Sequence, residues 1–96
     1  MEEQEAVDLL NQCHSFPGLY VFKVIGENTS LFYEGVLEEI RRELGQEVEE
    51  GRCLSVRESS GRRYLSMTLR LEMESAEQVL RLYGRFSKLE GLKTVL

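Results

Sequence analysis

Residues 52–73, RCLSVRESSGRRYLSMTLRLEM, carry the pattern that decides the fold. From position 64 to position 73, polar and apolar residues alternate strictly, and a period of two is typical of a β-strand with one buried face. A shorter alternation precedes the SSG sequence, and Ser60-Gly61 suits a tight turn. A phosphate-binding loop would need several glycines that lead into a helix. The stretch therefore predicts a β-hairpin.

The register of this hairpin follows from the position of the turn. With Ser60-Gly61 as a two-residue turn, Val56 pairs with Leu65 and Leu54 pairs with Met67, so apolar residues face each other. The opposite face is polar, and we expect it to be open to solvent. It consists of Cys53, Ser55, Arg57, Tyr64, Ser66, Thr68, Arg70 and Glu72.

The segments before the hairpin predict a helix, a strand and a second helix. Residues 3–13 place Ala6, Leu9, Leu10 and Cys13 at helical spacing. The stretch LYVFKVI at 19–25 is typical of a strand, and because Lys23 is costly to bury, Val21, Lys23 and Ile25 should face outward. Apolar residues recur every three or four positions over 30–44, after candidate N-caps at 28–30 and before a glycine stop at 45.

The segments after the hairpin predict a helix and a last strand. Ser75 followed by Gln78 forms a capping box, and the apolar stripe that follows indicates a helix that ends before Gly91. The sequence LKTVL at 92–96 then forms a short strand. The element order predicts an α+β protein with a ferredoxin-like β-α-β-β-α-β sandwich: a four-stranded antiparallel sheet with two helices on one face, plus a short N-terminal helix. We expect residues 1–15 to be a helical extension and 16–96 to be one domain.

Composition limits the functional classes. The 96 residues carry a net charge of −5, which disfavours nucleic acid as a partner. No apolar run is long enough to cross a membrane, and the acidic N-terminus is unlike a secretory signal, so a cytoplasmic location is expected. One His, two Cys and scattered carboxylates show no metal-binding or nucleophile-base spacing. We therefore predict no catalytic residues, no metal and no cofactor: the chain is not expected to be an enzyme.

Three stretches resemble the YbeD-like family of small bacterial proteins of unknown function. They are FPGLYVFKVIG at 16–26, SSGRRYLS at 59–66 and SAEQVLRLYGRFSKLEGLKTVL at 75–96. In this chain two arginines follow Gly61 before Tyr64, which is a small variation on the family's hairpin. The resemblance implies a ferredoxin-like fold close to ACT domains, which are small regulatory modules, and it implies no established activity.

Two main hypotheses about function follow, together with one alternative. The first is a regulatory sensor that binds a small carboxylate near Gly26, Asn28, Thr29 and Ser30, with a homodimer formed through strand edges or the open face. The second is an adaptor that binds a protein partner through the open face; its binding residues would be Lys23, Arg57, Tyr64 and Arg70. The alternative is an RNA-binding module that uses the same face.

Overall fold

The computed structural model describes residues 2–96, and within them four strands form one antiparallel sheet. The elements follow the chain as α1 (Glu3–Cys13), β1 (Gly18–Glu27), α2 (Ser30–Leu44), β2 (Leu54–Glu58), β3 (Tyr64–Met73), α3 (Ala76–Ser87) and β4 (Leu92–Val95). The strand order is β2-β3-β1-β4, so β1 and β3 are central. This confirms the predicted ferredoxin-like sandwich with an additional N-terminal helix.

The hydrophobic core lies between the sheet and α2 and α3. Alternate residues of β1 and β3 point into it, as their period of two predicts. Burial of this apolar surface is the main force that holds the helices on one face. Its largest members, each less than 2% exposed, are Phe22, Phe32, Phe86, Ile40, Leu54, Met67, Leu69, Met73, Leu82, Val24, Val36 and Val79.

The helices α2 and α3 begin at capping residues that the sequence predicts, and α2 also ends at its predicted glycine. The Oγ1 atom of Thr29 accepts a hydrogen bond of 3.1 Å from the backbone N–H three residues on, and α2 ends at Gly45 in the left-handed region, with φ at 70°. The Oγ atom of Ser75 accepts a bond of 3.1 Å from the N–H of Gln78. The Gln78 side chain in turn accepts from the N–H of Glu74 at 2.8 Å.

The predicted register of the hairpin is wrong by two residues. Val56 pairs with Met67, and Leu54 pairs with Leu69. The Ser60-Gly61 pair does occupy the centre of a turn, which is closed by a 2.8 Å bond from the N–H of Arg62 to the carbonyl of residue 59. However, Arg62, with φ at 58°, and the residue after it extend the loop before β3 begins. An even shift leaves every side chain on its predicted face.

The position of α1 is confirmed, but only part of its predicted apolar side is buried. Val7 is 5% exposed and Leu10 packs against the core, whereas Leu9 is 46% exposed and Cys13 is exposed. Among the helices, α1 makes its main contacts with α3, so a narrow strip at i and i+3 suffices. The predicted boundary between the helical extension and the domain, at residues 15 and 16, stays a prediction. The cytoplasmic location also stays a prediction. No described helix has the length and apolar character needed to cross a membrane.

Candidate functional site

The face of the sheet opposite α2 and α3 is solvent-exposed, and we call it the open face. Along its centre, outward residues of β1 and β3 stand directly opposite each other: Val21 pairs with Arg70, and Lys23 pairs with Thr68. Val21 is 48% exposed, whereas its neighbour Phe22, on the other face, is fully buried. The predicted outward set of β1 is therefore confirmed.

The open face is positively charged on a chain whose net charge is −5. Four cations lie on it, and within residues 2–96 none of them forms a salt bridge: Lys23, Arg57, Arg70 and Lys93. The salt bridges lie on the helices instead, where Glu38, Glu39 and Glu43 neutralise neighbouring arginines. Glu27 and Glu72 stand at the two ends of the open face. Its centre therefore presents an uncompensated positive potential.

A cavity of about 380 Å³ opens on this face beside the end of β2, and we call it the cationic cavity. Its three cations lie among hydroxyl groups and one aliphatic side chain. Its lining residues are Lys23, Ile25, Arg57, Glu58, Ser59, Tyr64, Ser66, Lys93 and Thr94. Cations with hydroxyl donors can bind an anion, so the arrangement is suited to binding a negatively charged group.

Lys93 reaches the cationic cavity because β4 is irregular. Thr94 pairs with Ile25 and Leu92 pairs with Gly26, so Lys93 is an extra residue between them. A bulge of this kind redirects a side chain. The Nζ atom of Lys93 lies 4.0 Å from the centroid of the Tyr64 ring, in a cation-π contact. A period of two would place residues 93 and 94 on opposite faces, so the sequence pattern carried no signal for this cation.

The structure brings together three of the four residues predicted for partner binding. Lys23, Arg57 and Tyr64 line the cationic cavity. Arg70 lies farther along β3, outside the cavity but on the same open face. The four positions therefore share one surface, while their role in binding a partner stays a prediction.

Three of the residues predicted for ligand binding near the start of α2 make contacts within the protein that stabilise the fold. Gly26 is buried beneath the ring of Phe32, and a Cβ atom there would overlap the ring carbons. The Nδ2 atom of Asn28 donates to Glu58 Oε2 at 2.6 Å and to the carbonyl of Arg62 at 3.0 Å. Thr29 caps α2. This loop is therefore tied to the β2-β3 hairpin.

A second cavity, of about 500 Å³, opens beside the same loop. Its lining residues are Asn28, Thr29, Ser30, Tyr33, Glu50, Val56, Glu58 and Leu65. The Tyr33 hydroxyl donates to Glu50 Oε1 at 2.9 Å, and burial together with this bond raises the pKa of Tyr33. The carboxylates of Glu50 and Glu58, which line this second cavity, would repel the small carboxylate expected from the sequence. They favour a ligand that carries a positive charge. Gly26 does not line this cavity.

Residues 2–96 contain no group of three or more His, Cys, Asp or Glu side chains that could hold a metal ion. The free cysteines Cys13 and Cys53 lie on α1 and just before β2, and they form no disulfide. The arrangement that remains is a ferredoxin-like domain with a helix-free, cationic sheet face.

Comparisons with known proteins place this domain in a family. Residues 11–96 match the family described as "Protein of unknown function (DUF493)", and the chain belongs to that family. Similar proteins named UPF0250 protein occur in Shewanella sediminis, with 32% identity, and in Shewanella piezotolerans, with 31% identity; each match covers 84% of this chain and 88% of the relative. The resemblance to the YbeD-like small bacterial proteins of unknown function is thereby confirmed.

Proposed function

We propose that this chain is a non-catalytic adaptor that binds a segment of another protein on its open face. The observation that carries the proposal is the cluster of four cations, Lys23, Arg57, Arg70 and Lys93, none of them in a salt bridge within residues 2–96. The helices of the same chain pair their arginines with glutamates. Cations left without partners on an acidic protein favour a ligand of opposite charge.

Exposed apolar side chains on the same face support a protein partner. Leu19 is 57% exposed and Val21 is 48% exposed, and both point outward from β1. Leu96 is 64% exposed, and it exchanges backbone hydrogen bonds of 3.1 and 2.8 Å with Lys23. A combination of apolar, aromatic and arginine side chains is typical of protein interfaces.

A homodimer through the open face is disfavoured by charge. A two-fold axis that sets the two cationic cavities against each other would bring like charges together, and this opposes association. A different protein with acidic groups avoids this repulsion.

RNA is disfavoured by the chemistry of the central strands. RNA-recognition motifs stack two or three bases on outward aromatics. Among the described outward residues of β1 and β3, Tyr64 is the single aromatic, and Lys93 covers one side of its ring. A base would have to displace that contact.

Site-specific crosslinking in the host cells tests the adaptor function. A photoreactive residue would replace Thr68, at the centre of the open face, and in a matched control it would replace Glu77, exposed on α3. We expect a discrete protein adduct from position 68 alone, which resists nuclease and is lost when Arg57 and Arg70 are both changed to Glu. The partner identified by mass spectrometry should then bind the purified chain, more weakly at higher salt.

Two results would overturn the adaptor proposal. The first is the same adducts from positions 68 and 77, because the open face would then have no special role. The second is an adduct that nuclease removes, because the bound molecule would then be RNA.

A second candidate function is small-molecule sensing at the 500 Å³ cavity. It is favoured by one observation: Asn28, Thr29 and Ser30 all line that cavity. Because Glu50 and Glu58 line it too, an amine-containing metabolite fits better than an acid. Small amines and amino acids would be added singly to the labelled protein, and amide shifts at residues 28–33 would support sensing. A Glu50→Gln variant that responds equally would contradict an ammonium-binding role for this cavity.

A further inference from the structure

We propose that the partner segment is acidic, with one carboxylate in the cationic cavity and one apolar side chain against Leu19 and Val21. This inference rests on the adaptor function, and it names the chemistry of the bound segment. The open face has two ends of different character: three cations line the cavity at one end, and at the other two exposed aliphatic side chains stand opposite Glu72 and Arg70.

The cationic end is suited to a carboxylate. Lys23, Arg57 and Lys93 line one cavity, and the one acid among its described lining residues is Glu58. That carboxylate already accepts a 2.6 Å hydrogen bond from Asn28. Three cations against one partly satisfied anion leave an excess of positive charge. Hydrogen bonds from such cations to a carboxylate are stronger than neutral ones.

Hydroxyl groups and the contact between Lys93 and Tyr64 add to this site. Ser66 and Thr94 line the cavity and supply further donors. The cation-π contact with Tyr64 restricts the Lys93 side chain, so less conformational entropy is lost when an anion binds.

The apolar end lies a defined distance away. Ile25 lines the cationic cavity, and Val21 stands four residues earlier on the same face of β1. With a rise of roughly 3.3 Å per residue, the two anchors are about 13 Å apart. An extended segment covers this distance with side chains four residues apart, and a helical segment covers it with side chains about nine residues apart.

A second copy of this chain is the other conceivable acidic occupant. The first turn of α1 carries exposed Glu3 and Glu5, and Leu9 is exposed on the same helix. However, Glu3 and Glu5 stand six and four residues from Leu9, which is about 9 and 6 Å along a helix and short of the roughly 13 Å between the two anchors. We therefore assign the open face to a different protein.

Selection from a displayed random-peptide library tests this inference. The bait is the full chain, and selected peptides are counter-screened on an Arg57→Glu/Lys93→Glu variant. The matched control is Arg52→Glu/Lys88→Glu, which changes the net charge equally at exposed positions outside the cavity. The neutral pair Arg57→Gln/Lys93→Gln serves if charge reversal impairs folding, which circular dichroism would show.

We expect the selected peptides to contain Asp or Glu at one of the two spacings from an apolar residue. Their dissociation constants should rise about tenfold or more on the cavity variant and change less than about twofold on the control variant. Amide shifts of the labelled chain should cluster on Lys23, Ile25 and Ser66.

The experiment distinguishes failure of the acidic-segment inference from failure of the adaptor proposal. Peptides that shift these amides but lack acids, and bind the cavity variant equally well, would overturn the acidic-segment inference and leave the adaptor proposal standing. Selected peptides that never shift the open face would overturn both. Concentration-dependent oligomers in sedimentation, abolished by the cavity variant, would assign the face to a second copy and overturn the inference.

Discussion

Gly26 lies directly beneath the ring of Phe32, so that a Cβ atom at position 26 would overlap the ring carbons. Both residues are buried, and Phe32 is 1% exposed. The end of β1 and the first turn of α2 therefore approach each other as closely as a residue without a side chain allows. The glycine near the end of β1 is explained by packing and needs no ligand.

Gly26→Ala should destabilise the protein. The added methyl group must displace either the Phe32 ring or the β1 backbone, and overpacking of this kind costs about 1–3 kcal/mol. Urea unfolding would measure the loss. The matched control is Gly84→Ala on the exposed side of α3, where a Cβ meets nothing within 4 Å. Because alanine favours a helix, Gly84→Ala should stabilise the protein by about 0.5–1 kcal/mol. Equal effects at both positions would contradict the packing explanation.

Glu43→Ala should weaken the attachment of α2 to α3. Glu43 accepts hydrogen bonds from Nε of Arg81 at 3.1 Å and from Nε of Arg85 at 3.0 Å, and its side chain is 8% exposed. We expect a loss of about 1–2 kcal/mol in the free energy of unfolding, because these are charge-assisted bonds to a shielded carboxylate. Chemical denaturation at low and high salt would measure this loss.

The control for this network is Glu38→Ala. The Glu38 carboxylate pairs with Arg41 and Arg42 of its own helix and is more exposed, so the loss should be smaller than that of Glu43→Ala. The arginine at position 41 lowers the pKa of the Glu38 carboxyl, chiefly by hydrogen bonding. A larger loss for Glu38→Ala than for Glu43→Ala would show that the interhelical bridge is unimportant.

Asn28→Ala should loosen the β2-β3 hairpin loop. The side-chain amide of Asn28 donates to Glu58 and to the carbonyl of Arg62, across a long sequence separation. We expect a stability loss of about 1 kcal/mol and faster amide hydrogen exchange at residues 59–63. Asn28→Asp should be worse, since it sets a second carboxylate beside Glu58, and Glu58→Gln should relieve that repulsion. Unchanged exchange in the loop would refute the role of this contact.

Ionisation of the Tyr83 hydroxyl should make the stability of the protein depend on pH in the alkaline range. Burial, together with a 3.0 Å hydrogen bond to the hydroxyl of Tyr20, raises the pKa of Tyr83 above the ordinary value of 10.0. The folded state therefore favours the protonated phenol. The contribution of Tyr83 to the free energy of unfolding is fully present below the pKa that its hydroxyl has in the unfolded chain. It is lost as the pH rises through the higher pKa that the hydroxyl has in the folded protein.

Comparison with Tyr83→Phe isolates this effect. Near pH 8 the variant should be less stable by about 1 kcal/mol, because it lacks the hydroxyl bond to Tyr20. Above about pH 10 the difference should shrink, since ionisation of the tyrosine in the unfolded state destabilises the wild type alone. Unfolding free energies at both pH values measure it, and a constant difference would contradict the raised pKa.

The sequence by itself determined the element order and the face to which each residue of β1, β2 and β3 points. A period of two over 64–73 and helical spacing over 30–44 depend on local geometry, so they can be read without knowing any distant contact. Capping at Thr29, Ser75 and Gly45 is equally local, because each partner is within a few residues. The shared face of Lys23, Arg57, Tyr64 and Arg70 followed from the same periodicity.

Only the tertiary structure decided the register between the strands and the way in which the helices pack. The hairpin register lay beyond the pattern because a shift of two residues preserves every face, and the conformation of Arg62 sets the length of the loop. The buried side of α1 depends on how it meets α3. Lys93 lines the cationic cavity because of a bulge in β4, and the alternation of polar and apolar residues does not predict this bulge. Local periodicity cannot specify such matches, because they are set by packing between residues distant in the chain.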